Sequence, residues 1–400
     1  MTAVSGILLI DKPAGITSHD AVSRTRKAAG TRKVGHAGTL DPMATGLLVL
    51  GINSATRLLT YVVGLDKEYF ATIRLGAATS TDDREGEQTF RGSPAAIAAI
   101  STPDVLAEML RLTGNIEQTP STVSAIKVDG KRAYALARAG ETVVLASRSV
   151  TVAEFELLGE PALSDGFLDV SVRVSCSSGT YIRALARDIG LALGVGGHLT
   201  ALRRTRIGPF TVSDAATLEN LDVPANLQHP ATVAQQLFRF VVVDQTQALQ
   251  LSQGKRIELS TDSATGGAMS FSSQFPTVTP APAPAPAPAL APALGETSPD
   301  SELGPYAAIS PTGRLVGLLE IKGGRSRTLV NFPPDDATNQ SGTEPVPVPE
   351  PVPVPVPVPV PAPVPEPAAP SAPEYTTETV PGARPGAHPG DPVTPENILS

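Results

Sequence analysis

An α+β fold, built on a mixed and largely antiparallel sheet with flanking helices, is what this sequence predicts, and three observations carry the prediction. Segments of strict apolar–polar alternation at 67–76 and 167–175 call for strands with one buried face. Capped amphipathic stretches at 103–113 and 180–193 call for helices. Strands and helices follow one another without a regular βαβ rhythm, so antiparallel pairing dominates.

Taken in chain order, Gly6–Ile10 (GILLI) has the pattern of a buried strand, and Leu47–Leu50 is a second apolar strand. In 67–76, Tyr69, Ala71, Ile73 and Leu75 share one face, with Phe70, Thr72 and Arg74 on the other. Thr102 is placed to cap a helix over 103–113, with Pro103 in its first turn and Gly114 just past its end. Asp129-Gly130 suits a type I′ turn and predicts a hairpin over 126–131. Leu168, Val170, Val172 and Val174 line one side of the next strand. From Thr180 to Leu193, Ile182, Leu185, Ile189 and Leu193 form a stripe, while Arg183 and Arg187 lie on a different side. Apolar runs return at Phe240 (FVVV) and on both sides of a Pro311-Thr312-Gly313 turn.

Proline divides the chain. The first 270 residues hold nine, whereas 276–299 hold eight and 343–400 hold nineteen, mostly in Ala-Pro and Val-Pro repeats. Proline at alternate positions removes half the backbone donors, so neither helix nor sheet is expected there. The organisation read from this is a catalytic domain over 1–236, a small β-rich module over 237–333 with a low-complexity insert at 264–303, and a disordered acidic tail over 334–400.

The net charge of −8 sits in that tail, which has nine acids and one base, so residues 1–333 are formally neutral. An acidic total therefore says nothing against nucleic-acid binding by the rest. One cysteine, Cys176, excludes a disulfide framework, and five scattered histidines argue against a zinc site. No P-loop, dinucleotide fingerprint or G-x-S-x-G elbow occurs. No leader or membrane-spanning pattern is present either, which predicts a cytoplasmic protein.

Four polar segments stand out: Asp11–Ser18, Gly35–Gly46, Lys67–Tyr69 and Ser178–Arg183. The second packs three glycines, a proline, His36 and Asp41 into twelve residues, a loop whose backbone can approach a ligand closely. The same residues also make an Asp-Pro turn with a capping histidine. Arg24, Arg26, Lys27, Arg32 and Lys33 precede the loop with no acid after Asp20, which fits a phosphate-backbone contact or a solvated helix face.

The strings DKPAGITS, GHAGTLDPMATGLL, KEY, LGAATSTDDREG, SAIKVDGKRAYALARAG and SSGTYIRALARDIG resemble the bacterial tRNA pseudouridine synthase B (TruB) family, nearly continuously over about residues 6–215. The resemblance implies a pseudouridine synthase fold followed by a PUA-like RNA-binding module. It implies isomerisation of the uridine at position 55, in the TΨC loop of the T-arm of tRNA, by a monomer that needs neither cofactor nor metal. Residue by residue, it makes Asp41 the nucleophile, Arg183 its partner, Tyr69 the aromatic that stacks on the base, Tyr181 a second pocket tyrosine, Leu202 a pocket leucine and His36 an active-site histidine. A guide-RNA-dependent enzyme of the dyskerin type shares the TLDP string, and a tRNA-folding chaperone with incidental catalysis is the reading from a different class.

The residue types suit that chemistry. A carboxylate can attack and then leave, provided it is ionised, and Arg183 is expected to depress the Asp41 pKa. An extruded base needs an aromatic face, which Tyr69 supplies. Taken alone, Tyr69 is also a normal strand-core aromatic and Arg183 a normal surface helix residue. The basic stretch 24–33, with Arg203, Arg204 and Arg206, is expected to contact the RNA backbone.

Overall fold

Two strands that hardly alternate and two that alternate strictly organise the molecule. The computed structural model describes residues 4–121, 127–128, 131–132, 146–219, 221–259 and 305–335. β1 (Gly6–Lys12) and β3 (Thr45–Ile52), linked through α1 (Ser18–Ala29) and β2 (Val34–Ala37), pair antiparallel from Gly6 opposite Ile52 to Lys12 opposite Gly46. Both faces of this pair are covered. Ile7, Leu9, Leu47 and Val49 enter one core, while Leu8, Ile10, Leu48 and Leu50 enter another against Ala21 and Val22 of α1. Unbroken apolar runs are what two covered faces require.

The layer continues with β4 (Lys67–Leu75), α2 (Thr102–Arg111), β5 (Gly114–Gln118), β6 (Arg148–Leu157), β7 (Phe167–Cys176), α3 (Ile182–Ala192), β8 (Gly197–Ile207) and β9 (Ala216–Thr217). Among the described residues, twelve strands form one sheet whose main path is β9-β1-β3-β8-β4-β7-β6-β5. Only β9–β1 and β8–β3 are parallel along it. The alternating strands behave as expected: Tyr69, Ala71 and Ile73 with Val170, Val172 and Val174 bury against Ile182, Leu185 and Ile189 of α3. Their other face is polar, and there Arg74 pairs with Asp169 while Arg173 pairs with Glu68, Glu154 and Glu156.

Local details differ from the sequence expectations. Helix α2 is capped by Ser101, whose N–H and hydroxyl both donate to Asp104, at 2.9 and 2.6 Å. Thr102 instead donates to Glu160 at 2.8 Å. Helix α3 starts at Ile182, and its Arg183 is buried rather than turned to solvent. Lys127 pairs with Arg132 and Val128 with Lys131, as the hairpin requires. Its turn residues Asp129 and Gly130 lie outside the described residues, as do the 264–303 insert and the chain beyond Asp335.

After α4 (Pro230–Leu237), a second sheet is made by β10 (Phe240–Val242), β11 (Tyr306–Ile309), β12 (Leu315–Lys322) and β13 (Arg325–Asn331), with α5 (Gln245–Ser252) beside it. β10 runs parallel to β11 across the insert, and the other pairs are antiparallel. Val241, Leu251, Tyr306, Val316 and Ile321 give this sheet its own core. Its other side joins the first sheet: Ala307, Ile309, Leu318 and Phe332 pack in one cluster with Ile7, Leu9 and Leu237. Asp335 accepts hydrogen bonds from the Ser5 N–H, at 2.8 Å, and from the Ser5 hydroxyl. No helix among the described residues is long and apolar enough to cross a membrane.

Candidate active site

The Gly35–Gly46 segment leaves β2, turns through Asp41-Pro42 and enters β3. Three side chains pin it. The Ser18 hydroxyl accepts from the Leu40 N–H at 2.9 Å and lies 3.1 Å from the Leu40 carbonyl, to which it donates. The Lys12 Nζ donates to the carbonyls of Pro13, Ile16 and Pro42 at 2.9, 2.8 and 3.3 Å. The Arg204 guanidinium donates to the Gly38 and Leu47 carbonyls at 3.0 and 2.8 Å. Gly46, at φ +102°, has no room for a side chain, because a Cβ there would lie 2.1 Å from the Arg204 carbonyl oxygen. The Asp11–Ser18 segment thus serves the loop, through Lys12 and Ser18. Burial lowers the Lys12 pKa to about 8, against the attraction of Asp41 and Glu85.

Asp41 meets Arg183 in a two-pronged ion pair. Nε lies 3.0 Å from one carboxylate oxygen, and Nη2 donates to the other at 3.1 Å. Nη1 donates to the Thr81 carbonyl at 2.7 Å and lies 3.5 Å from Asp83, which is itself held by the Thr81 hydroxyl and the Glu85 N–H. The Asp41 side chain lines the cavity and keeps 32% of its surface open, and protein atoms cover the rest. Loss of hydration therefore raises its pKa, and the nearby Asp83 charge adds to the rise while Arg183 opposes it. Arg183 lowers the Asp41 pKa as expected, but burial outweighs it and the net shift is upward.

A cavity of about 250 Å³ opens beside this pair. Asp41, Arg183, Tyr181, Tyr69 and Leu202 all line it, so five of the six site residues expected from sequence meet there. Tyr69 projects from β4 and Leu202 from β8, both mostly buried. Burial raises the Tyr69 pKa, and the Arg204 cation beside it works the other way. Tyr181, at the N-cap of α3, is fixed by the buried Gln118 amide, which accepts from its N–H at 2.7 Å and donates to its carbonyl at 3.0 Å.

His36 is the exception. It stands on β2 outside the cavity wall, edge-on to His19 with ring centroids 6.1 Å apart. Its buried Nδ1 has no hydrogen-bond partner among the described residues, and burial, then the His19 charge, lower its pKa.

Sequence reasoning gave no site role to Lys67, Asp83 or Gln118, and it put Arg204 on the RNA backbone rather than in the cavity wall. Lys67 and Asp83 lie inside the matching strings KEY and LGAATSTDDREG, which was the available signal. Lys67 lines the cavity and donates to the Val63 and Leu65 carbonyls at 3.0 and 2.6 Å, and burial lowers its pKa to about 8. Of the basic residues expected on RNA, Arg24, Arg26, Lys27, Arg32 and Lys33 are exposed. Arg203 and Arg206 are instead neutralised by Asp11 and Asp66, and Arg204 is buried.

Comparison with known proteins agrees at the level of sequence and of fold. Residues 26–182 match the TruB family pseudouridylate synthase N-terminal domain, and residues 183–244 match the tRNA pseudouridylate synthase B C-terminal domain. The chain is 54% identical over 332 residues to tRNA pseudouridine synthase B of Leifsonia xyli subsp. xyli, covering 83% of this chain and 98% of that one. It is 46% identical over 330 residues to the protein of that name from Thermobifida fusca, covering 82% and 98%. Among solved structures, that of a Cbf5-Nop10-Gar1 complex aligns with a TM-score of 0.54 at 24% identity, covering 83% of this chain and 86% of the other. That likeness shows a shared fold.

Proposed function

The chain belongs to the TruB family and isomerises uridine to pseudouridine in tRNA, and from that premise we propose that it modifies position 55 in the TΨC loop, using Asp41 as nucleophile. The observation that supports this reading is the meeting of Asp41 and Arg183 with Tyr69 and Leu202 around one cavity.

The reaction breaks the N1–C1′ bond, turns the uracil and forms a C5–C1′ bond. C5 loses a proton and N1 gains one, so composition and oxidation state are unchanged. The Asp41 anion attacks at C1′ or C6 and is later expelled. The Arg183 fork keeps both carboxylate oxygens oriented and favours the ionised form in a site that otherwise disfavours it. Tyr69 offers a face to the extruded base and Leu202 an apolar wall, which offsets an unstacking cost of roughly a few kcal/mol. His36, beside the exposed basic stretch rather than in the cavity, supports the nucleotides next to the target.

The module over 237–333 adds tRNA affinity remote from the reacting base. The enzyme acts in the cytoplasm as a monomer on the T-arm. The test is to map pseudouridine in unmodified tRNA after incubation with the purified protein and nothing else. Product at position 55 from the wild type and none from Asp41→Asn is the expected result. Product elsewhere, or from the Asn variant, overturns the assignment.

A further inference from the structure

Three neighbours on β8 have the same charge but different surroundings. Arg203 lies opposite Phe70 in the β8–β4 register and Arg204 lies opposite Tyr69, so the two side chains leave the sheet on opposite faces. Arg203 meets a carboxylate in partial contact with water. Arg204 is only 1% exposed, and among the described residues no carboxylate lies within ion-pair distance of it. Its hydrogen-bond partners are neutral, the Gly38 and Leu47 carbonyls, and its register neighbour Tyr69 lines the same cavity.

A buried cation satisfied only by neutral groups is costly, because carbonyl dipoles replace lost hydration incompletely. The placement of its partners gives that cost a use. Gly38 precedes Asp41 and Leu47 follows it, so one planar group grips the loop on both sides of the carboxylate. On the adjacent strand Tyr69 stands directly opposite Arg204 and lines the same cavity. The loop also lies against the Arg204 backbone, which is the close approach that demands glycine at position 46.

We propose that Arg204 is a positioning residue that locks the Asp41 loop and the Tyr69 ring into one register across the cavity. This rests on the reading of Asp41 and Tyr69 given above. It replaces the sequence expectation that Arg204 contacts the RNA backbone. Arg204 and Tyr69 both line the cavity, so an error in this register reaches the reacting atoms directly.

The test is a kinetic cycle on unmodified tRNA with wild type, Arg204→Lys, Tyr69→Phe and the double variant. A lysine retains the charge but lacks the planar fork that bridges the Gly38 and Leu47 carbonyls. Arg204→Lys should therefore lower kcat about 10- to 100-fold, the scale of a misplaced reacting group, with KM within about twofold. The double variant should lose less than the product of the two single losses, because both break one linkage. Full kcat in Arg204→Lys, or losses that multiply, overturns the proposal, and a raised KM at unchanged kcat returns Arg204 to RNA binding. If Arg204→Lys does not fold, Tyr69→Phe decides with Arg204 in place. Removing the hydroxyl takes a polar group from beside a buried cation, so Tm should fall, and an unchanged or higher Tm overturns the idea. An inactive wild type, or an active Asp41→Asn, would count against the functional reading instead.

Discussion

Two arginine-rich stretches, 24–33 and 203–206, are similarly dense in positive charge along the chain and end up in opposite environments. The first winds along α1 and into the turn before β2, where Arg24, Lys27, Arg32 and Lys33 are exposed and outside any ion pair among the described residues. The second lies in a central strand. Arg203 forms two hydrogen bonds to Asp11, at 3.0 and 2.7 Å, Arg206 bonds Asp66 at 2.6 Å, and Arg204 is enclosed. Charge density in a sequence is therefore not charge on a surface. A helix beside a turn can leave its basic side chains in water, while a central strand sends them to faces that neighbouring strands already occupy.

Arg183, outside both stretches, extends the contrast to a buried cation that does meet a carboxylate, and it carries the largest expected effect. Arg183→Lys keeps the charge but loses the fork, and kcat should fall on the order of 100-fold while tRNA affinity holds. The pH profile sharpens this. Asp41 acts as an anion and its pKa is raised, so activity should climb with pH through a limb above the ordinary carboxylate range. Removing the opposing cation in Arg183→Gln should move that limb to higher pH. Removing the like charge in Asp83→Asn should move it lower. A limb fixed in both variants would show that it belongs to another group.

The exposed stretch should respond in the other observable. Neutralising Arg24, Lys27 and Arg32 together should weaken tRNA binding and flatten its dependence on log salt by about 0.7–0.9 per lost phosphate contact, with kcat at saturating tRNA unchanged. An unaltered slope would remove the distinction between the stretches. Arg203→Ala should cost about 0.2–1 kcal/mol of stability, the range of half-exposed pairs, and leave the salt slope alone. The smallest effect is at the chain's end. Removing 336–400 should leave Tm and turnover unchanged, whereas a cut that also removes Asp335 should cost about 1 kcal/mol through the Ser5 hydrogen bonds.

Much of this was legible where one physical effect acts alone. β4 and β7 could be read from alternation because one face is dry and the other wet, and β1 and β3 from unbroken apolar runs because both faces are dry. The cap of α2 slipped by one residue because Ser101 and Thr102 can both cap, and the choice fell to the one with Asp104 three positions on. Arg183 defeated the helical pattern for a different reason. It occupies a polar position of α3, but its acceptors Asp41, Thr81 and Asp83 arrive from distant loops that close over the helix start. Arg204 was misread because which face a strand residue takes depends on register, and β8 carries irregularities on both sides of this position. His36 was assigned to the active site by resemblance and stands outside the cavity wall, because loop composition alone could not tell that wall from its surroundings.

The joining of the second sheet to β1 sets a timetable. Ile7 and Leu9 are made about 300 residues before part of their cover, Ala307, Ile309 and Phe332. β10 likewise pairs with a strand that begins some sixty residues later, at Tyr306. At equilibrium such separation is cheap, since doubling a connection costs only about 0.6 kcal/mol. During synthesis it means that one apolar face of the β1–β3 pair stays partly open until Phe332 has been made. Termination between Phe240 and Tyr306 would release a chain that holds Asp41, Tyr69 and Arg183 but lacks part of the cover of its β1–β3 pair, a species prone to aggregation rather than a slow enzyme.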